Sequence, residues 1–327
     1  MSSGGAIEQS WRAPLPPAVH RARMVLAVEV LPLALAIGGI SVVGVSPLGL
    51  VLFLAMYLLT MLGVELGMHR LIAHRQFTAV PWLRALLCVL GAMAGEGSPL
   101  LWSAVHRLHH RDPDGDDDVH SPTHGRAGLV ERVRGFLWAQ SLWYTEVPGI
   151  TRFRRQLAGR APGSESAADA QAARLVRVVE DWRGDGVVLA VERGYPLWIA
   201  IGFLAPALVG ALVGGAHVAL MGLVWGGVVR FVVVQKVSFA INSVGHTIGL
   251  RSFSTADDSR NNVVMAVLTL GSGWHNNHHA FPGSASLWFL PWHIDPCYAL
   301  IRALACVGAV SDVRMVDASI VQARRVS

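Results

Sequence analysis

Histidine is the residue whose number and spacing most clearly indicate chemistry in this chain. Nine of its fourteen histidines form two H-x2-H-H triplets, one H-x4-H pair and one further position. The nine are His69, His74, His106, His109, His110, His246, His275, His278 and His279. Because positions i, i+3 and i+4 share one face of a helix, each triplet directs three imidazoles toward one place. Imidazole binds iron, zinc and copper, so the pattern predicts a metal site.

The number of imidazoles predicts two ions rather than one. A zinc ion takes about four ligands, whereas nine nitrogens match two ions with four or five each, and a water held by Asn242 would complete one shell. Two adjacent iron ions can bind and cleave oxygen, a redox chemistry that zinc lacks. An isolated histidine is usually an ordinary hydrogen-bonded residue, and that interpretation stands for His20, His217 and His293. For His246, taken alone, both interpretations remain open.

The composition predicts that a membrane protein carries these histidines. The chain is 53% hydrophobic and 15% charged, whereas soluble domains carry about 25% charged residues. A helix of about 20 apolar residues spans a bilayer, and four stretches are long enough. They are residues 24–45, 48–68, 195–214 and 218–241. Very short turns join the first stretch to the second and the third to the fourth, which predicts two hairpins.

The distribution of arginine predicts the orientation. Lys and Arg collect on the cytoplasmic side of membrane proteins, and here they lie before the first span, between the hairpins and after the last span. The histidine motifs lie on the same side. We therefore expect an all-α integral membrane fold with a cytoplasmic helical cap, in a bacterial cell membrane. Its predicted parts are an N-terminal segment at 1–23, a membrane domain at 24–312 and a tail at 313–327.

Residues 82–101 form a further apolar stretch, which glycines and a proline interrupt. If it crossed the bilayer, His69 and His106 would lie on opposite sides. We therefore expect it to lie at the interface or to re-enter the membrane.

Four short stretches around the histidines are distinctive. They read HRLIAHR from His69, HRLHH from His106, NSVGH from Asn242 and GWHNNHHAFP from Gly273. In this order they resemble the membrane fatty acyl desaturases, and specifically the acyl-CoA Δ9 (stearoyl-CoA) branch. The resemblance extends from about residue 25 to 312. It implies four membrane helices, a cytoplasmic cap, and the nine histidines as iron ligands, with Asn242 binding through water.

The resemblance also implies the reaction and the partners. Two iron ions, O2 and two electrons would place a cis double bond in a fatty acyl-CoA or acyl lipid, at Δ9. The chain shows no Gly-x-Gly-x-x-Gly dinucleotide fingerprint, haem domain or Cys-rich segment. An external electron donor is therefore expected, either a ferredoxin, a cytochrome b5-like protein or a flavoprotein reductase. Membrane lipid is expected around the chain, and nucleic acid is not expected as a partner.

Nine further residues are candidates for orienting the ligands or contacting substrate. They are Glu65, Trp102, Asp118, His120, Arg70, Arg75, Arg107, Arg111 and Arg260. A metal-bound histidine usually donates its other N–H to a carboxylate, and Glu65 lies one turn before His69; a glutamate reaching into interfacial water is the alternative. The carboxylates after His110 are otherwise read as a solvated loop, with Asp118 and His120 as exceptions. The arginines suit either CoA phosphates or anionic lipid.

The chain departs from the family pattern at three places. Ser272 stands where Gly-Glu-Gly is common, Phe239 replaces a frequent Trp, and residues 284–288 replace an Arg-His-Gly element. These changes leave the histidines intact and leave chain length, double-bond position and acyl carrier open. We expect Glu to be tolerated at Ser272.

Two other functions share some of these features. A di-iron hydroxylase would convert an alkyl or acyl chain to an alcohol, and the segment from Asn242 to His246 favours the desaturase over it. A metal-handling or haem-binding membrane protein would place histidines within its spans, whereas these lie outside them on one side.

Overall fold

The computed structural model describes residues 17–115, 118–123, 128–159 and 166–326. Across these ranges the chain is mostly helical, as expected, and three helices are long and apolar enough to cross a membrane. They are α1 (Ala18–Val43), α2 (Pro47–Ala73) and α9 (Tyr195–Ser243). Residues 1–16 of the expected N-terminal segment lie outside the described residues.

The connection between α1 and α2 lies where the sequence predicts a turn. Gly44 has a φ of 70°, a left-handed conformation that favours glycine. The Ser46 side chain accepts a hydrogen bond from the Gly49 N–H, and Pro47 takes the first helical position. Both features satisfy or avoid the free N–H groups at a helix start. The chain therefore leaves α1 and begins α2 within three residues.

Helix α9 contains a sharp break at its two central glycines. Gly214 has a φ of −152°, and Gly215 has a φ of 71°. The two halves of α9 then pack against each other closely. A Cβ added at Gly210 would lie 2.2 Å from the Val218 carbonyl oxygen, and one at Gly222 would lie 2.1 Å from that of Pro206. The halves therefore fold back on each other, with glycines at the closest approaches.

Helix α3 (Pro81–Met93) occupies the interrupted apolar stretch. Its 13 residues extend about 20 Å, less than the roughly 30 Å of a hydrocarbon core. It packs backbone to backbone on α2, since a Cβ at Gly63 would lie 2.0 Å from the Gly91 nitrogen and one at Gly67 would lie 2.4 Å from the Leu87 carbonyl oxygen. Helix α3 therefore runs back along α2, away from its histidine-bearing end, and α4 returns to that end, where Ser103 donates to the Met68 carbonyl.

The remaining helices surround the histidine-bearing ends of α2 and α9. They are α4 (Pro99–Arg111), α5 (Leu129–Ser141), α6 (Ile150–Leu157), α7 (Ala167–Val178), α8 (Gly186–Arg193), α10 (Val263–Leu268), α11 (His275–Ala280), α12 (Pro296–Cys306) and α13 (Ala318–Arg324). Two 3-10 turns lie at Trp143–Glu146 and Glu180–Trp182. Strand β1 (Thr78–Ala79) pairs antiparallel with β2 (Val310–Ser311).

The apolar side chains divide between an internal core and a lipid-type surface. The largest buried cluster joins α2, α4, α6, α7 and α12 through Leu66, Leu100, Phe153, Leu175 and Ile301. Large apolar side chains on α1 and α9 are exposed instead, Leu212 by 81%. An exposed apolar surface of this kind is stable against lipid. The helices around the histidines therefore share one core with the end of α2, while α1 and α9 present many apolar side chains outward.

Candidate metal centre

The H-x4-H pair lies at the end of α2, where the helix changes its winding. Residues Gly63–Ala73 form a π-helix, and the His74 N–H donates to the His69 carbonyl oxygen at 3.0 Å, a step of five residues. Such wider turns are frequent at functional sites. The wider turn places both side chains on one face, with ring centroids 5.0 Å apart. The spacing of this pair thus matches a π-helix rather than an α-helix.

The two triplets lie on short helices that the surrounding chain holds firmly. The last turn of α4 carries one triplet, and the Trp102 ring stacks on His106 at 5.0 Å. Helix α11 carries the other in only six residues. Between its histidines, Asn276 accepts the N–H groups of Ser252 and Phe253, and Asn277 donates to the Leu287 carbonyl. These amides fix a helix too short to be stable alone.

The structure brings all nine predicted histidines together. Eight form two groups of four, with the possible ligand atoms in each group within 4.8 Å of one another. One group is His69, His74, His106 and His278, and the other is His109, His246, His275 and His279. The ninth, His110, lies between them. Its Nε2 is 2.8 Å from that of His278, and its ring is 4.5 Å from that of His279.

Carboxylates bind the outward-facing nitrogens of four of these rings. The Nδ1 atoms lie 2.8–3.2 Å from carboxylate oxygens. The pairs are His69 with Glu65, His109 with Asp118, His246 with Asp114 and His279 with Asp257. Because a carboxylate only accepts, each Nδ1 carries the proton and each Nε2 keeps a free lone pair.

The inward-facing nitrogens test whether a metal fits. His109 and His279 both have Nδ1 bound to a carboxylate, yet their Nε2 atoms lie 3.2 Å apart. The same close approach joins His246 to His275 at 3.0 Å. In the His109–His279 pair two lone pairs face each other at this distance, and they repel unless a cation lies between them. The donor set, imidazole nitrogen throughout, therefore fits first-row transition metals.

Burial and ion pairing shift the pKa values of the ionisable groups in the site. Burial lowers the pKa of His106, His110, His275 and His278 well below 6.5, because an apolar environment disfavours the imidazolium. These rings are therefore neutral, as metal binding requires. Although burial opposes it, His109 and His120 hold the pKa of Asp118 well below its usual range.

Several residues of the outer layer were not expected from the sequence. Asp114 was assigned to a solvated loop, but it accepts hydrogen bonds from His246 Nδ1 and from the Asp258 N–H, both at 2.9 Å. Asp257, which binds His279 Nδ1 at 2.8 Å, was not singled out either. Ser272, where a glutamate was thought missing, donates to Glu65. In this chain Glu65 provides the carboxylate next to His69.

Three of the five candidate arginines form ion pairs with carboxylates of the chain. Arg70 is fully buried and forms a two-pronged ion pair with Asp295 at 2.9 and 3.0 Å. Arg107 pairs with Asp181 and donates to several main-chain carbonyls, and Arg75 pairs with the same Asp181 while lying 4.2 Å over the Trp182 ring. These three guanidinium groups are thus paired with carboxylates of the chain, and their contact with a phosphate stays a prediction.

The other two candidate arginines are more open. Arg111 is exposed at the end of α4. Arg260 is half-buried and donates to the Gly249 carbonyl at 3.3 Å.

A cavity of about 250 Å³ lies beside the two histidine groups. His69, His106, His109 and His275 form one wall, next to Asn242 and Trp102. Much of the remaining wall is apolar, and residues of α1, α4 and α9 contribute to it. Glu96, which the sequence reasoning missed, also lines the cavity and accepts from the Trp102 indole at 3.3 Å. Such an apolar cavity with few polar groups is typical of a small-molecule site.

The three long apolar helices and the two converging groups of imidazoles indicate a membrane protein with a histidine-rich site that could hold metal ions. Comparison with known families agrees with this description. The model of the fatty acid desaturase family matches residues 45–302. The chain belongs to the fatty acid desaturase family.

Similar proteins use several acyl carriers, according to their names. The chain is 34% identical over 284 residues to hex-5-enoyl-[acyl-carrier protein] acetylenase of Moorena producens (strain JHB), covering 86% of the chain and 82% of that relative. It is 31% identical over 257 residues to sn-1 stearoyl-lipid 9-desaturase of Anabaena variabilis, covering 78% and 80%. It is also 31% identical over 253 residues to acyl-CoA C20 Delta5-desaturase of Anemone leveillei, covering 77% and 69%. These relatives support an oxidoreductase of lipid metabolism.

Proposed function

We propose that the chain is an oxygen-dependent fatty acyl desaturase whose nine histidines hold two iron ions. The observation that carries the proposal is the close Nε2 contact between His109 and His279, whose Nδ1 atoms both bind carboxylates. One ion would bind His69, His74, His106 and His278, and the other His109, His246, His275 and His279, with His110 between them. Asn242, in the cavity wall beside His275, would bind the second ion through water.

The roles of the protein follow from this arrangement. When bound, the iron ions supply oxygen activation and the removal of two hydrogens from neighbouring methylenes. The carboxylates keep each Nε2 free to ligate. Trp102 packs on His106 and limits its rotation. The largely apolar cavity holds an acyl chain beside the histidines and excludes water.

We further propose that the chain crosses the membrane four times and that the histidines face the cytoplasm. The antiparallel halves of α9, each about as long as a span, support the fourth crossing. The concentration of arginine on the histidine side supports the orientation. A bacterial cell membrane fits both.

The proposed substrate is a fatty acyl-CoA, with a cis double bond formed at Δ9. The support is the likeness of the histidine motifs to the acyl-CoA Δ9 branch. The relatives named above include carrier-protein, glycerolipid and CoA enzymes, so the carrier is best tested directly. The electrons would come from a ferredoxin, a cytochrome b5-like protein or a flavoprotein reductase docked on the cap.

The test is expression in a bacterial strain that lacks unsaturated fatty acids, followed by lipid analysis and iron determination. We expect a cis-unsaturated product and about two irons per chain, with no haem absorption. His109→Ala and His278→Ala should abolish the product while the protein still inserts. His217→Ala is the matched control, because His217 is exposed and far along the chain from the histidine motifs.

Each other outcome selects a different function. A hydroxylated chain without olefin would indicate the hydroxylase. One haem per chain, or an active His278→Ala variant, would reject the metal assignment. In vitro assays with CoA-, carrier-protein- and lipid-linked acyl chains would then identify the carrier.

A further inference from the structure

Two unpaired hydrogen-bond donors line the cavity. The indole N–H of Trp143 and the hydroxyl of Tyr144 are buried and have no hydrogen-bond partner among the described residues. Trp143 and Tyr144 are neighbours in the 3-10 turn Trp143–Glu146, and both line the cavity beside the histidines. A buried donor without a partner costs free energy. A hydrogen-bond acceptor on a bound ligand is therefore expected at this wall of the cavity.

Other indoles of the chain show that Trp143 is an exception. Five tryptophans donate their N–H to a main-chain carbonyl at 2.9–3.0 Å. They are Trp138, Trp182, Trp198, Trp225 and Trp274. Buried indoles in this fold are thus normally satisfied by the backbone. Trp143 instead presents its N–H in a wall that a ligand can reach.

Aromatic neighbours hold both donors in fixed positions. The Trp143 ring lies edge-on to His120 at 5.2 Å and to Phe239 at 5.3 Å, and Tyr144 stacks on Phe239 at 6.0 Å. His120 in turn lies 4.5 Å from His109, one of the histidines of the second group. Trp143 is therefore two ring contacts away from His109 and Tyr144 is three, at distances that packing keeps constant.

The donors also lie on the side from which a polar head group would approach. A second cavity, of about 160 Å³, shares Val105, Val147 and Pro148 with the first and continues to Gln171 and Arg174 on α7. Val147 and Pro148, which follow Tyr144 closely in the chain, thus lie between the two cavities. An acyl chain that enters there has its carboxyl end nearest to Trp143 and Tyr144. The carbonyl oxygen is the one strong acceptor of a saturated acyl group.

We propose that Trp143 and Tyr144 donate hydrogen bonds to the acyl carbonyl oxygen and thereby set the position of the double bond from the carboxyl end. This inference rests on the proposed function and names the part of the substrate that the site recognises. Thioesters and oxygen esters both contain this carbonyl, so the site does not by itself choose the acyl carrier. Phe239 acts as the shared support of both rings.

The test compares Trp143→Phe, Tyr144→Phe and the double variant with Trp288→Phe, a control at an exposed position. Equilibrium binding is measured with palmitoyl-CoA and with S-hexadecyl-CoA, its thioether analogue that lacks the carbonyl. One hydrogen bond corresponds to roughly a tenfold preference. We expect the unmodified protein to prefer the thioester about tenfold or more, and the double variant to bind both probes equally.

Product analysis gives a second readout. In the variants the double bond should spread to neighbouring positions and KM should rise, whereas kcat changes little. Iron content and melting temperature show whether a variant is folded; if the double variant misfolds, the Tyr144→Phe variant, which removes only an oxygen, decides. An unchanged probe preference together with a single double-bond position would overturn the inference. If the unmodified protein forms no olefin yet prefers the thioester, the proposed function fails and the carbonyl site stands.

Discussion

Replacement of Asp118 by Asn tests the link between the carboxylates and metal binding. Asp118 accepts hydrogen bonds from His109 Nδ1 at 2.8 Å and from His120 Nδ1 at 2.9 Å. The N–H groups of Asp114 and His120 donate to it at 3.0 and 3.1 Å. An asparagine fills the same space but presents one oxygen and one NH2 group, so it cannot accept from both rings.

The magnitude follows from the ring that loses its acceptor. If the NH2 group faces His109, that ring must move its proton to Nε2, which then cannot ligate. Loss of such an outer partner usually lowers metal affinity 10–100-fold, or about 1.4–2.7 kcal/mol. Only the group that contains His109 is affected directly. We therefore expect the Asp118→Asn protein to lose one iron per chain at chelator concentrations that leave the other iron bound.

The assay is a chelator titration that follows the iron-to-chain ratio, with activity measured at each point. Asp312→Asn is the control, because Asp312 is exposed and adopts a φ of 50° that asparagine tolerates. Equal retention of both ions by Asp118→Asn and the control would show that the carboxylate does not set the tautomer of His109.

Two further predictions concern buried carboxyl groups. Burial raises the pKa of Glu96 from the ordinary value of 4.5 to about 8. Between these two pH values Glu96 is protonated in the folded protein and ionised in the unfolded chain, so the stability of the protein falls as the pH rises. Glu96→Gln should flatten this fall, and an equal change in melting temperature of the two proteins between about pH 6 and pH 9 would contradict the assignment. The sequence suggested that glutamate would be tolerated at Ser272, but it would place a second buried carboxylate against Glu65. We therefore expect Ser272→Glu to lose about 3 kcal/mol of stability and to load iron poorly, with Ser272→Ala as the milder control. A melting temperature of Ser272→Glu equal to that of the unmodified protein would refute this.

The histidine positions were readable from sequence because their spacing is local. The triplets need only a helix to bring three rings to one face, and α4 and α11 provide it. The H-x4-H pair was less transparent, since its geometry depends on the π-helix Gly63–Ala73. A spacing of five between two ligands is itself a signal for such a turn.

The outer partners were harder to predict because they come from distant parts of the chain. His246 binds Asp114, which lies 132 residues away, and Arg70 binds Asp295, 225 residues away. No periodicity connects such pairs. The abundance of arginine near the histidines drew attention to this side of the protein. It did not reveal which guanidinium groups were already paired with internal carboxylates.

The long helices were located by hydrophobicity, but their ends were not. The first apolar stretch was predicted from residue 24, whereas α1 begins at Ala18. A helix can extend past its apolar part because its backbone hydrogen bonds do not require apolar side chains. The reversal in α9 was predicted between residues 214 and 218, and the glycines at 214 and 215 that permit it lie there. Hydrophobicity therefore located this turn, although it did not locate the start of α1.

The charges around the site explain why the carboxylates are there at all. Nine neutral imidazoles contribute no charge, and burying two divalent cations without compensation would be prohibitive. Four carboxylates bind the Nδ1 atoms of the two groups, and together they would balance the four positive charges of the two proposed divalent ions. Glu96 lies in the same cavity but binds no histidine among the described residues, and its pKa is raised instead. In the proposed centre, the carboxylates that would offset the cations are therefore those paired with imidazoles, and Glu96 is not one of them.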